Sequence, residues 1–176
     1  MIGQEIVYKF LKDNQIPFDY YEHPEAPTIE IAAQYYRGEG TTLCKNLFFR
    51  NHKGNKHYLV ILNSRYQLDI HDLEHRLHQG KLSFASPERM DRCLGLSPGS
   101  VSALGLIHDI DIASTADPKE LFENGHRVKY FIDKELQTAP RVSFHPCDNT
   151  ASVVLTNEMF LKFLSIWGGE VEWLEV

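Results

Sequence analysis

The sequence predicts one α/β domain in which helices flank a mixed central β-sheet, and three observations carry that prediction. Strand-like and helix-like segments alternate along the chain instead of falling into separate blocks, the pattern of a sheet with helices packed on it. The 176 residues are the size of a single globular domain, so residues 1–176 read as one unit. No internal repeat, low-complexity tract or linker divides them.

Taken in order, Ile6, Val7, Phe10 and Leu11 recur at helical spacing and predict a helix over residues 3–13. "IPFDYYEHP" offers a short strand that ends at Pro24. "TIEIAAQYY" reads as a second helix, with Thr28 as N-cap and Gly38 beyond its end. "CKNLFFRN" and "HKGNKHYLVILNS" form a hairpin around Gly54. "LDIHDLEHRLHQG" spaces Leu68, Leu73 and Leu77 between Asp69 and Gly80, a helix with both terminal signals. "KLSFA" is a short strand, and "SPERMDRCLG" puts Ser86 at the N-cap, Pro87 at the first helical position and Glu88 in the first turn before stopping at Gly95. "SPGSVSALGL" is a turn entering an apolar segment. "RVKYFID", "RVSFHP" and "ASVVLT" are further strands, and "NEMFLKFLSIWGG" is a terminal helix. Residues 111–127 are polar and helix-like only in part, and read as an excursion from the compact core.

Composition narrows the function. The formal charge of -6 argues against a general nucleic-acid coat. Residues 45–92, however, hold nine Lys and Arg against five acids, which leaves a local basic stretch in an acidic chain. Cys44, Cys93 and Cys147 are odd in number and widely spaced, in no paired metal motif, so neither a disulfide framework nor a metal site is expected. No apolar run is long enough to span a membrane, and the N-terminal residues lack the layout of a secretory signal. A cytoplasmic protein without cofactor is the expectation.

The candidate chemistry begins at Lys45. In a strand it shares one face with Leu47 and Phe49, while Cys44, Asn46, Phe48 and Arg50 share the other. A lysine on a core-facing side either snorkels to water or stands at the mouth of a pocket. Two further segments bear on the choice. Pro98-Gly99 is a turn dipeptide whose glycine can take positive φ and expose the amides of Ser100 and Val101 to a developing oxyanion. "FHPCDNTAS" places His145 before Pro146 in extended backbone, with Asn149 and Thr150 in the polar stretch that follows. Neither a Walker pattern nor a dinucleotide fingerprint is present.

"CKNLFFRNHKGNKHYLVIL", "GKLSFASPERMDRCLGLSPGSVSALGLIHD" and "VSFHPCDNTASVVL", in that order and spacing, resemble the YbaK/ProRS-associated domain family, most closely its ProX (PrdX) branch of free-standing trans-editing aminoacyl-tRNA deacylases. The resemblance covers nearly the whole chain. It implies hydrolysis of the ester between a wrong amino acid and tRNA, with alanyl-tRNA for proline as the expected substrate and cysteinyl, seryl or threonyl esters, or a non-catalytic tRNA- or synthetase-binding module, as alternatives. It places the family's lysine on Lys45, its glycine loop on Gly99 to Ala103, and its "HP..NT" segment on His145, Pro146, Asn149 and Thr150. Catalysis is then expected from Lys45, Gly99, Ser100 and Val101. Substrate contacts are expected from Leu47, Phe49, Ser102, His145, Asn149 and Thr150. Arg50, Lys53, Lys56 and Lys81 are the candidates for tRNA phosphate contact. Prolyl-tRNA synthetase or an elongation factor is the possible protein partner. Two departures stand out: Ala103 replaces the usual loop proline, and the segment between His108 and Val128 is long for the branch.

Overall fold

A computed structural model describes residues 1–176. The elements are α1 (Glu5–Asp13), β1 (Asp19–Glu22), α2 (Ile29–Ala32), β2 (Thr41–Thr42), β3 (Cys44–Arg50), β4 (His57–Asn63), α3 (Ile70–Leu77), β5 (Ser83–Phe84), α4 (Pro87–Leu94), a 3-10 segment (Ala103–Asp109), β6 (Val128–Asp133), β7 (Arg141–Phe144), β8 (Ala151–Thr156), α5 (Asn157–Trp167) and β9 (Val171–Leu174). The α/β class holds, and the strands are shared between two mixed sheets, ordered β1-β8-β7-β2 and β5-β3-β4-β6-β9. The division occurs at Leu43. Thr41 and Thr42 pair parallel to Arg141 and Val142, and one residue later Cys44 to Arg50 pair antiparallel to Asn63 to His57 in the other sheet.

Local chemistry explains most boundaries. Asp69, Ser86 and Thr156 each accept the third amide of the helix they cap, and Pro87 opens α4. Helix α2 is a single turn, shorter than "TIEIAAQYY" suggests. The Arg37 guanidinium takes the carbonyls of Ala32 (2.5 Å) and Tyr35 (2.8 Å), the second of which a continuing helix would have used for its own amides. The C-terminal residues add a strand that the sequence pattern did not show, because Val171 to Leu174 join β6 in parallel through a long-range pairing.

The main core lies between the two sheets and α5, and includes Phe48, Leu59, Tyr130, Phe144, Phe160 and Trp167. A smaller cluster on the opposite face of β3 and β4 joins Phe49, Tyr58, Val60 and Phe131 to Leu73 of α3. Residues 111–127 are tied down rather than extended from the core. Glu120 pairs with Arg92 at 2.6 Å, and Lys56 donates to the carbonyl of Leu121 at 2.6 Å. The fully buried Asp109 anchors the same region by accepting from the amides of Arg127 (2.7 Å) and Val128 (3.2 Å) and from the Trp167 indole (3.2 Å). No helix is long and apolar enough to cross a membrane.

Candidate active site

The change of sheet at Leu43 opens a cavity. Strand β5 pairs with β3 only at Phe49 and Arg50, so the first half of that edge has no neighbouring strand. The Phe48 carbonyl accepts from Ala85 on this edge, and by alternation the backbone groups of Asn46 and Cys44 point the same way. Into the gap between this edge and β7 opens a pocket of about 260 Å³. Lys45, Leu47, Gly99, Val101 and His145 all line it, together with Cys44, Asn46, Phe144, Arg37 and Ser152. Segments about fifty residues apart in sequence therefore meet around one space, and no Asp or Glu lies in its wall.

Lys45 is half-buried, and its ammonium donates to the carbonyl of Tyr66 at 2.7 Å. One of its three donors is thereby fixed, which leaves two for a ligand. Opposite it, Ser97 to Ser100 form a turn with Pro98 and Gly99 at its centre. Gly99 has φ +88°, and a Cβ there would find open space with only Asn149 Nδ2 at 3.7 Å, so the backbone conformation rather than crowding calls for glycine. The same turn is closed by the Ser100 amide on the Ser97 carbonyl at 3.2 Å. The Ser100 amide is thus engaged within the turn and not free as expected; Val101 lines the cavity, and its amide lies beyond the turn's closing bond.

Other expected contacts lie elsewhere. Ser102 is fully buried, and its hydroxyl caps the 3-10 segment through the Leu104 amide at 3.1 Å, so it faces no substrate. Phe49 is 1% exposed in the smaller core cluster, because Lys45 and Leu47 alone of that strand face reach the open edge. Asn149 and Thr150 stand beside the pocket without lining it. The Thr150 hydroxyl donates to Asp148 at 2.6 Å, and the Asn149 amide points to Glu25. His145 does line it, with Nδ1 donating to the Ala151 carbonyl at 3.2 Å. Burial lowers its basicity, so the ring is a neutral wall.

The sequence reading passed over a polar chain behind the pocket. His23 Nδ1 lies 2.9 Å from the Pro24 carbonyl, an acceptor only, which places the proton there and leaves Nε2 to accept from the Ser152 hydroxyl at 2.9 Å. Ser152 in turn accepts from Arg37 Nε at 2.9 Å. This relay holds Arg37, 6% exposed, across a separation of 115 residues, which no local pattern signals. Asn46 was likewise missed. Its Oδ1 is buried without a partner beside the cavity. Burial pushes the Cys44 thiol pKa well up, which keeps it protonated beside the cavity.

Residues 23–163 match the family model described as "Aminoacyl-tRNA editing domain". The chain belongs to the aminoacyl-tRNA editing domain family. Over its full length it is 31% identical to "Prolyl-tRNA editing protein ProX" of Acetoanaerobium sticklandii, covering 99% of that protein. It is 28% identical over 149 residues to "Prolyl-tRNA synthetase associated domain-containing protein 1" of Xenopus laevis, covering 84% of this chain and 81% of that one. A solved structure presented as a candidate trans-editing enzyme for prolyl tRNA synthetase superposes with a TM-score of 0.64 at 22% identity, over 98% of both chains, and shares the fold.

In this editing domain the cations expected at tRNA sit away from the pocket. Arg50 ends β3, five residues from Lys45 and so roughly 17 Å along the strand. Its guanidinium reaches the carbonyls of Asn51 and His52, and Lys56 is held by the carbonyls of Lys119 and Leu121 and by the Phe122 ring. Lys53 and Lys81 are exposed near the same hairpin end. None of the four lines the cavity.

Proposed function

We propose that this protein hydrolyses the ester of mischarged tRNA for proline, with alanine as the amino acid removed. The single observation that carries the reading is that Lys45 and the Gly99–Val101 turn, distant in sequence, face one small cavity in an editing-domain fold. The relative named "Prolyl-tRNA editing protein ProX" points to tRNA for proline as the substrate's carrier.

The chemistry follows from what the wall contains. No carboxylate lines the wall and burial holds Cys44 as a thiol, which fits the route the family resemblance implies: water attacks the ester carbon with help from the substrate's own terminal ribose hydroxyl, the ester C–O bond breaks, and the proton from water ends on the departing ribose oxygen. As the water attacks, charge develops on the ester oxygen, where the Lys45 ammonium and the Val101 amide stabilise it. The unpartnered Asn46 Oδ1 is the acceptor suited to the substrate's α-ammonium. Leu47, Val101, Phe144 and His145 bound the space, and the discrimination we propose is steric at these walls, which would meet the larger proline ring before the alanine methyl.

The deciding experiment is deacylation of alanyl-tRNA and prolyl-tRNA for proline, side by side. Rapid release of alanine with prolyl-tRNA spared is the expected result. Binding of the tRNA with no release across alanyl, cysteinyl, seryl and threonyl esters would replace this reading with that of a binding module.

A further inference from the structure

A second hollow adjoins the pocket. It is an open groove of about 650 Å³ formed by residues 33–38, Thr41 to Leu43, Asn63 and Ser64, and it shares Arg37 and Leu43 with the cavity that holds Lys45. We propose that this groove seats the terminal nucleoside of the tRNA acceptor end, with its base against Tyr36. The inference rests on the proposed function for its ligand, the acceptor end of a tRNA whose aminoacyl group enters the first pocket.

The argument is one of covalent reach and surface chemistry. The ester joins the amino acid directly to a ribose, so the sugar must lie in a space that abuts the aminoacyl pocket. The groove does so through two common walls. Two tyrosines border it. Tyr35 is committed, stacked on His23 at 5.3 Å and 6° between planes. Tyr36 is 73% exposed and touches Tyr21 only edge-on, at 6.2 Å and 87°, so it is braced with ring surface left for a base. The hydroxyls of Thr42 and Ser64 add polar groups along the rim, suited to a sugar or base edge. Arg37 brings a cation to the boundary, with no carboxylate bonded to it. Arg141 braces the loop beside it, donating to the Arg37 carbonyl at 3.1 Å and to Thr41 Oγ1 at 2.8 Å. The hairpin cations at Arg50, Lys53 and Lys56 lie at the far end of β3 and cannot serve this nucleoside.

Two measurements test the seat, one of them independent of turnover. In deacylation of alanyl-tRNA, Tyr36→Ala is expected to raise KM about 10-fold with kcat little changed, and Tyr36→Phe to restore the wild-type value, because stacking needs the ring and not the hydroxyl. In titrations with the RNA trinucleotide CCA, backbone amide resonances of Tyr36, Thr42 and Ser64 should shift and those of Lys53 and Lys81 should stay. An unchanged KM in Tyr36→Ala alongside an active wild type overturns the seat and leaves the deacylase reading intact. Shifts confined to the hairpin end, or none, overturn it as well. Groove shifts without turnover of any ester uphold the seat and remove the deacylase reading.

Discussion

The two ends of β3 carry similar residues and are built to different ends. At one, Lys45 gives a single hydrogen bond to a carbonyl, keeps two donors without a protein partner, and lines a cavity. At the other, Lys56, just past the Arg50 turn, spends its charge on two carbonyls and an aromatic face. The turn between the strands is itself closed. Asn51 is fully buried, its side-chain oxygen accepts from the amides of Asn55 and Lys56 at 3.0 Å each, and its amide reaches Asn55 and Gln79. A cation with unspent donors beside a space is available for chemistry, whereas one whose donors are engaged holds the fold together.

The sharpest break of this comparison is Lys45→Ala. Loss of one electrostatic donor at a developing oxyanion commonly costs about 100- to 1000-fold in rate, so kcat/KM for alanyl-tRNA should fall by that much. Stability should move little, because the only bond lost is one to the Tyr66 carbonyl, worth about 1 kcal/mol and at most a few degrees in Tm. A variant that unfolds instead would make Lys45 structural and erase the difference between the strand ends.

The next effect belongs to the closed end and is read by pH. His57 pairs opposite Arg50, is fully buried, and accepts from Arg89 through Nε2 at 2.9 Å, while its Nδ1 has no partner. Burial first, then the surrounding arginines, lower its pKa to about 3. Above pH about 6.5 the ring is neutral folded or unfolded, and its contribution is fully present. Below that the unfolded chain takes up a proton that the folded one refuses, so stability falls by up to about 1.4 kcal/mol per pH unit until the folded ring titrates near pH 3. His57→Gln keeps an acceptor for Arg89 and removes the titration. Denaturant midpoints between pH 7 and 4 should decline less steeply in the variant than in the wild type; parallel declines would assign the acid sensitivity to other groups.

What the sequence disclosed follows the range of the forces involved. Capping residues act over three or four positions, so Thr28, Asp69, Ser86 and Pro87 were legible where they stand. The period of two placed Lys45 beside Leu47, and Pro98-Gly99 announced its turn. The cost of that turn to the Ser100 amide was also implicit in the dipeptide, since such turns close through the fourth residue. Long-range pairings were not legible. The division into two sheets depends on Thr41 and Thr42 finding β7, and the Arg37–Ser152–His23 relay depends on three elements meeting. Basic residues at 50, 53, 56 and 81 looked alike as charges, and only their partners separated binding candidates from braces.

A smaller effect should appear at Lys56→Met, which keeps the apolar stem and removes the ammonium. The variant gives up two carbonyl contacts and one cation–π contact at a partly exposed site, about 1 kcal/mol in sum. A fall in Tm of roughly 2–4 °C with kcat/KM within twofold of wild type is expected. A loss of tRNA affinity without loss of stability would return Lys56 to the substrate.

The smallest effect concerns the segment that follows the Gly99 turn, where Ala103 takes the position at which the family resemblance leads one to expect a proline. Ala103 begins the 3-10 segment, a position that tolerates the missing amide proton of proline. Ser102 before it has φ -154° and ψ 146°, the extended backbone that a residue preceding proline adopts. The backbone is therefore ready for Ala103→Pro, which should stabilise the fold by about 0.4–1 kcal/mol through the unfolded chain. Against this, Ala103 is fully buried, and the ring must find room among its neighbours. A Tm raised by about 1–4 °C with unchanged kcat/KM would show that the turn already holds the Val101 amide in place. A lowered Tm would mean that the surrounding side chains have closed over the smaller residue, and that the segment following the Gly99 turn is as tightly packed as the hairpin is at its tip.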